Sequence, residues 1–498
     1  MKKSLFLIIF ILGMSSNAQD FNDALLFSRE DLQGTARFMG MGGAFGAVGG
    51  DLSALKINPA GSAIFATNQA TFTLDFKHNH NNNLFRQNNT QTNSSDLDIS
   101  QAGVMFVFKA NNEDVPVKKI TFGINYNRAS NLNDEFFAFG QNNNSIANYF
   151  VNQANGIPLD NLTPFTNESF FERYDGIGNE YGLSGQEAYL AYESFVINST
   201  NPNDLGSTTY ESNVFANNLT QQYAYGLDGN SGKVSFNSAI DVANKLMLGI
   251  NINGYFIDYS RATSLDEQSG ETNGVNRIVF DNLLNVRGSG ISFDFGAIYK
   301  PINEVRIGLS YKTPTWMNIQ EELFHEISTN SQDNGFVNAN PEIFNIFPDY
   351  KFRTPSTLTG SLALILNKNL LLSADFTSRN YTNMKFNSNG FQQANEEIST
   401  LMQTATELNF GGEYRIKNIS LRAGYNYHES PFSDEVNATD IERFTFGLGY
   451  VLGNTRFDIS YVNTQQDRRE QIIRSGLQSP VNINANQHNI TAGVSFAF

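Results

Sequence analysis

The residues best placed to do chemistry lie near the N-terminus, where Phe38–Phe65 reads FMGMGGAFGAVGGDLSALKINPAGSAIF. Its run Gly40-Met41-Gly42-Gly43-Ala44-Phe45-Gly46 invites comparison with a phosphate-cradling loop, but the third glycine is misplaced and no buried strand precedes it. The closing Asn58-Pro59-Ala60-Gly61 offers different physics: Pro59 fixes its backbone, Asn58 can hydrogen-bond locally, and glycines permit close approach to another surface. Of five histidines only those of His78-Asn79-His80 share a strand face, and no Cys or carboxylate stands at ligand spacing. No metal or haem site is therefore expected. Gly-x-Ser-x-Gly, His-Glu-x-x-His and phosphate-loop motifs are missing, so no catalytic residue, enzyme activity or cofactor is expected either.

The start of the chain sets the compartment. Lys2-Lys3, an apolar run from Leu5 to Leu12 and small residues ending Ser16-Asn17-Ala18 form a secretory signal peptide, residues 1–18, with cleavage expected after Ala18. No other apolar stretch approaches the roughly 18 residues of a membrane-crossing helix. The formal charge of −16 becomes about −18 once Lys2 and Lys3 leave, which argues against nucleic acid as a partner. With no Cys, disulfides, thiolate chemistry and a lipid-modified N-terminal Cys are all excluded.

These residues must be positioned by strands. At the C-terminus Ile490, Ala492, Val494, Phe496 and Phe498 alternate with Asn489, Thr491, Gly493, Ser495 and Ala497. The same pattern recurs in Phe72/Leu74/Phe76, Ile120/Phe122/Ile124/Tyr126, Val305/Ile307/Leu309/Tyr311, Phe444/Phe446/Leu448/Tyr450 and Phe457/Ile459/Tyr461. Many aromatics (42 Phe, 20 Tyr) and 40 Gly in a chain only 40% hydrophobic suit a barrel apolar outside and polar inside. The expected fold is all-β: a transmembrane antiparallel β-barrel of about fourteen strands over residues 69–498. Short links at Asn112–Pro116, Ala243-Asn244, Pro301–Asn303, Asn367–Asn369, Lys417-Asn418 and Gly453-Asn454 alternate with long polar ones. The long ones are His80–Leu97, Asn131–Asn230, Arg261–Leu283, Glu321–Tyr350, Asn387–Leu401, Ser430–Asp440 and Asp467–Ala485. Short turns belong on the periplasmic side and long loops outside.

Loop 131–230 is long enough to carry structure or function of its own, and short helices are expected at Ser145–Ala154 and Gly185–Val196. In the latter, Ala188, Tyr192 and Phe195 form an amphipathic face suited to capping the barrel mouth. By alternation Asp75, Asp294, Arg306, Asp375, Glu413, Arg415, Arg422, Arg456 and Asp458 face the lumen. Mixed signs there read as ion pairs bracing the interior, or as a site for a carboxylate headgroup with Arg306, Arg422 or Arg456 as cation.

Residues 19–68 are left over on the periplasmic side of the first strand. Here Gly42-Gly43-Ala44-Phe45, Asp51, Ala54 and Asn58-Pro59-Ala60-Gly61 resemble, in order and place, the N-terminal hatch of the FadL/TodX/OmpP1 outer-membrane transporters. Thr354-Pro355 leading through Gly360, and Arg422-Ala423-Gly424-Tyr425 followed by Glu429-Ser430-Pro431-Phe432, resemble later strands of that family. The resemblance implies a Gram-negative outer-membrane barrel with a hatch in its lumen, made of Gly42, Gly43, Asp51, Asn58, Pro59, Ala60 and Gly61. It also implies passive transport of a hydrophobic small molecule, long-chain fatty acid or aromatic hydrocarbon, with lateral exit through a break in the third strand. Gly123 is the expected place for that break. The implied partners are outer-membrane lipid, the ligand, and the barrel-assembly machinery through the C-terminal strand ending at Phe498. Three rivals stay open: a barrel that docks or shuttles surface or secreted proteins, a channel for polar solutes, and, last, an enzyme with its Ser and His on separate strands.

Overall fold

The computed structural model describes residues 21–112, 114–215, 218–434, 437–473 and 479–498; the signal peptide expected over 1–18 lies outside them. Fourteen antiparallel strands close a barrel. They are β1 Gln69–Phe85, β2 Asn88–Lys109, β3 in two stretches (Val117–Asn131 and Asp134–Asn142), β4 Leu219–Val242 and β5 Leu246–Ser269. Next come β6 Val275–Ile302, β7 in two stretches (Val305–Lys312 and Trp316–Ser331), β8 in two (Tyr350–Arg353 and Thr357–Leu366) and β9 Leu370–Asn380. The last five are β10 Thr404–Ile416, β11 Ile419–His428, β12 Ile441–Leu452, β13 Thr455–Gln471 and β14 Pro480–Ala497. Closure is made by β1, whose Gln69–Phe85 pairs with β14 from Ala497 back to Val481 while its other edge pairs with β2.

Alternation sorts the side chains as the sequence implies. Phe72, Leu74 and Phe76 are exposed on the outside of β1 while Thr71, Thr73 and Asp75 are buried inside. Ile307/Leu309, Phe444/Phe446/Leu448 and Phe457/Ile459 continue an outward apolar belt. No helix among the described residues is long and apolar enough to cross a membrane.

At one end the links are tight. Ala243-Asn244 and Asn367-Lys368 take positive φ at both residues, which matches the right-handed twist of a two-residue hairpin. At the other end the strands run further than expected. The link read over His80–Leu97 is only Arg86-Gln87, Asn131–Asn230 contracts to 143–218, and Arg261–Leu283 contracts to 270–274. Likewise β13 extends to Gln471 and β14 begins at Pro480, and β7 reaches Ser331 before returning as Gly335–Ala339. Above the apolar belt both strand faces carry Asn, Ser, Thr and Gln, so the period-two signal fades although the ladder continues.

The long connection contains helix Ala147–Ala154 and a longer helix, Phe170–Glu193, kinked where Gly182 takes φ +64°. Ala188 is buried and Tyr192 half-buried, but Phe195 lies past the helix end and is exposed. The buried face is Tyr174, Ile177, Ala188, Tyr189 and Ala191. A helix at Gln392–Leu401, read as polar link from the sequence, seats Ala394 and Ile398 against Phe391 and Met402.

Candidate functional site

The N-terminal residues lie against the inner wall. Helix Phe21–Ser28 is followed by a short helical turn at Ala36–Met39, then by 3-10 turns at Leu52–Lys56 and Pro59–Ile64. Close approach is made possible by glycines on both partners. Gly42 takes φ +60°, and a Cβ added there would come within 3.0 Å of Phe410 and Tyr425 backbone. On the wall, a Cβ at Gly249, Gly296, Gly308, Gly411, Gly424 or Gly447 would meet the segment at Pro59, Asn58, Gly46, Met41, Gly42 and Gly40 respectively. Six strands therefore present a glycine where the segment passes.

The motif residues tie the segment to itself and to the barrel. The Asp51 carboxylate accepts from Ser53 N at 2.9 Å and Thr35 Oγ1 at 2.7 Å, capping the turn that follows. Asn58 caps the next turn by accepting from Ala60 N, while its Nδ2 donates to Gly46 O at 2.8 Å and to Ala297 O on β6 at 3.1 Å. Pro59 begins that turn and its carbonyl accepts from Asn237 Nδ2 of β4. Gly61 accepts from Gly50 N at 3.0 Å. Gly43, at φ +77°, leaves room for Leu32.

Below this lies a buried charge network. Arg37 grips Glu413 on β10, which also holds Arg422 at 2.6 Å and Arg415 at 2.5 Å. Arg422 reaches Asp458 at 2.8 Å, and Arg456 pairs with Asp458 at 2.7 Å and approaches Asp51 at 3.7 Å. Arg306 donates to Val48 O at 2.6 Å. The three arginines considered for a headgroup, Arg306, Arg422 and Arg456, are thus engaged at the seam between segment and wall, and none lines the cavity above it.

That cavity, about 680 Å³, is a feature the sequence did not reveal. Its floor includes Leu25, Leu26, Arg29 and Glu30 of the N-terminal segment. Its roof includes Tyr149, Leu183 and Glu187 from the long connection, and its walls mix Tyr225, Phe280, Leu284 and Leu323 with Arg261 and Arg443. The lining is mixed: an apolar patch adjoins many charged and amide side chains, an arrangement that can hold the apolar body and the polar end of one small molecule. Glu187 also accepts from the Tyr149 hydroxyl, and burial pushes its carboxyl up to about 7 despite that bond.

The wall next to this space is interrupted between β2 and β3. Between β2 and β3 the paired register runs from Lys109/Lys119 only as far as Gln101/Asn127, and the upper stretch of β3, Asp134–Asn142, pairs with β4 alone. Side chains cover the gap: Asn79, Asn81 and Asn83 of β1 donate in turn to the carbonyls of Asn133, Glu135 and Phe137, at 3.3, 2.9 and 3.2 Å. Arg128 pairs with Asp98, and Asn131 Nδ2 donates to Asp96 and Asp98. Leu97 and Ile99 flank this seam on the outside. A space of about 60 Å³ behind it shares Arg29, Asp31, Arg443 and Arg468 with the large cavity. Gly123, where a strand break was expected, sits in unbroken pairing with Met105 and Asn237, and Met105 packs over it. The irregularities of β3 fall at Val117/Lys119 and Arg128/Ser130.

His78 and His80 point outward and bond Ser95 and Asn93 through Nδ1.

Residues 207–498 match the model of a family described as outer membrane protein transport protein (OMPP1/FadL/TodX), a match that covers β4 to β14 and leaves the N-terminal motif outside it. A FadL homologue from Pseudomonas aeruginosa superposes with TM-score 0.58 at 11% identity, covering 95% of this chain and 100% of the other. The toluene transporter TodX of Pseudomonas putida gives TM-score 0.50 at 14% identity, covering 94% and 99%. At such identities the likeness speaks for the fold. No curated protein matches by sequence.

Proposed function

The chain belongs to the outer membrane protein transport family (OMPP1/FadL/TodX) and is an outer-membrane barrel; on that premise we propose that it passively carries a hydrophobic small molecule of the long-chain fatty acid or aromatic hydrocarbon class. The carrying observation is the 680 Å³ cavity, in which an apolar patch of Leu25, Leu26, Phe280, Leu284 and Leu323 stands beside charged and amide side chains, with the N-terminal segment as its floor. Ligand enters this cavity from the loops, the segment acts as a hatch whose first turns shift, and cargo leaves sideways through the β2–β3 seam into lipid. Lateral exit suits apolar cargo because a water-filled pore offers it no favourable path. The break in ladder above Gln101/Asn127 supports this exit rather than one at Gly123. The family description is of a transport protein, which supports a role without catalysis. Phe498, whose amide bonds Asn68 O at the closing seam, is the contact we assign to the barrel-assembly machinery.

Proteoliposome uptake tests the reading. Uptake of toluene or a long-chain fatty acid, with no steady ion conductance, is the expected result. Deleting Asp20–Ser62 is expected to change uptake or open a conductance. Unchanged transport by a folded, deleted barrel would remove the hatch, and absence of uptake for either ligand class would remove the transporter.

A further inference from the structure

Beneath the cavity floor four bases converge on one carboxylate. Glu30 Oε2 lies 3.1 Å from Lys312 Nζ and 3.7 Å from Arg379 Nη2, and Glu30 Oε1 lies 3.9 Å from Lys233 Nζ and accepts from the Tyr255 hydroxyl at 3.2 Å. Lys56, whose Nζ donates to the Asp31 carbonyl, is the fourth base acting on Glu30. Burial alone would raise the Glu30 carboxyl, yet these cations hold it well below the usual carboxylate range. Other acids nearby have their own partners: Asp31 pairs with Arg29 and accepts from Ser130, and Glu407 accepts from Asn426 while sharing the field of Arg379. The cluster thus has more positive than negative charge, and Lys233 and Lys312 are almost fully buried.

The bases come from three wall strands, β4, β7 and β9, and from the turn Leu52–Lys56, which is anchored by Asp51. Glu30 alone comes from the stretch joining helix Phe21–Ser28 to the turns below. It also lines the large cavity and two smaller spaces of about 40 and 30 Å³ beside it, so its side chain is a partition between them.

We propose that Lys56, Lys233, Lys312 and Arg379 form an anion site that the chain fills with its own Glu30, and that the cargo is an amphiphile whose carboxylate displaces Glu30. This rests on the transport reading and narrows it. The apolar tail stays among Tyr225, Phe280, Leu284 and Leu323, while the headgroup replaces the self-carboxylate, frees the Phe21–Glu30 stretch and joins the adjoining spaces to the cavity. A neutral hydrocarbon cannot drive this exchange, because only a ligand that interacts differently with the two states shifts them. Self-occupancy also gives the buried bases a counter-charge when no ligand is present.

The test uses the full chain in lipid nanodiscs, folding verified by heat-modifiable mobility, titrated calorimetrically with dodecanoate and with dodecan-1-ol. Glu30→Gln removes the competitor charge and is expected to bind dodecanoate about tenfold more tightly with dodecan-1-ol unchanged. Lys312→Met is expected to weaken dodecanoate about tenfold and again leave the alcohol unchanged. Equal effects on both probes, or none, overturn the proposal. Should Glu30→Gln not fold, Glu30→Asp withdraws the carboxylate by one methylene and is expected to tighten dodecanoate by a smaller factor; no change there also overturns it. Vesicle uptake is read separately. Uptake with Glu30 variants indifferent in binding keeps transport and removes the anion site, whereas charge-selective binding without uptake does the reverse.

Discussion

Arg37 of the N-terminal segment holds both carboxylate oxygens of Glu413 on β10, Nε to Oε2 at 2.9 Å and Nη2 to Oε1 at 3.1 Å. Glu413 is shared by Arg37, Arg415 and Arg422; Arg422 also holds Asp458 and Arg415 is half exposed, so removing the Glu413 charge strands chiefly the buried Arg37. Glu413→Gln is expected to destabilise the folded barrel by about 3 kcal/mol, the range for breaking a buried pair. The sole tryptophan, Trp316, provides the fluorescence signal in urea titration; an unchanged midpoint would contradict a bracing role.

A Cβ at Gly424 would stand 2.4 Å from Gly42 N and from Met41 C. Gly424→Val is therefore expected to lift the segment from β11, at about 1–3 kcal/mol of overpacking, and to raise ion conductance in planar bilayers. A variant that folds and conducts no more than the parent would show that this contact does not seal the lumen.

Strand parity placed Asp75, Asp294, Glu413 and Arg422 inside and Phe72, Ile307 and Phe446 outside, because one face met lipid and the other did not. Asn58-Pro59-Ala60-Gly61 announced a segment packed against a wall, and Asn58 does bond Ala297 O. Upper strand halves were illegible where Asn79, Asn81 and Asn83 sit on a polar face opposite equally polar neighbours. The bases around Glu30 are scattered from Lys56 to Arg379, and no spacing rule joins residues that only barrel closure brings together.

Loss of the asparagine ladder should be felt locally. With Asn79, Asn81 and Asn83 all changed to Ala, three donors to β3 vanish, each worth roughly 0.5–1.5 kcal/mol. Amide exchange across Asp134–Asn142 is expected to accelerate on the order of tenfold to a hundredfold, with β10–β12 unaffected. Uniform acceleration through the barrel would instead mean that the triple variant weakens the whole wall.

Glu187 gives the roof of the cavity a pH dependence. Its folded pKa, pushed up to about 7 by burial, exceeds the unfolded value of 4.5, so the folded state retains the proton longer. Stability is full below about pH 4.5, declines as pH rises, and is lowest above about 7, by at most roughly 3 kcal/mol. The groups facing it are the Tyr149 hydroxyl and His325, whose Nδ1 lies 3.9 Å away. Limited proteolysis of residues 143–218 is expected to be faster at pH 8 than at pH 5, and Glu187→Gln is expected to abolish the difference. Equal cleavage at both pH values in the parent would rule out Glu187 as the cause.

Most of this wall is joined by backbone hydrogen bonds, which any sequence that forms the strand supplies. Over the upper β2–β3 seam side chains do the joining instead, the amides of Asn79, Asn81 and Asn83 together with Lys77, Thr90, Arg128 and Asn131. Single substitutions can therefore grade the strength of the barrel at this one place, from tightly shut to easily parted, while leaving the rest of the ring intact. Selection can tune this opening independently of the fold that contains it.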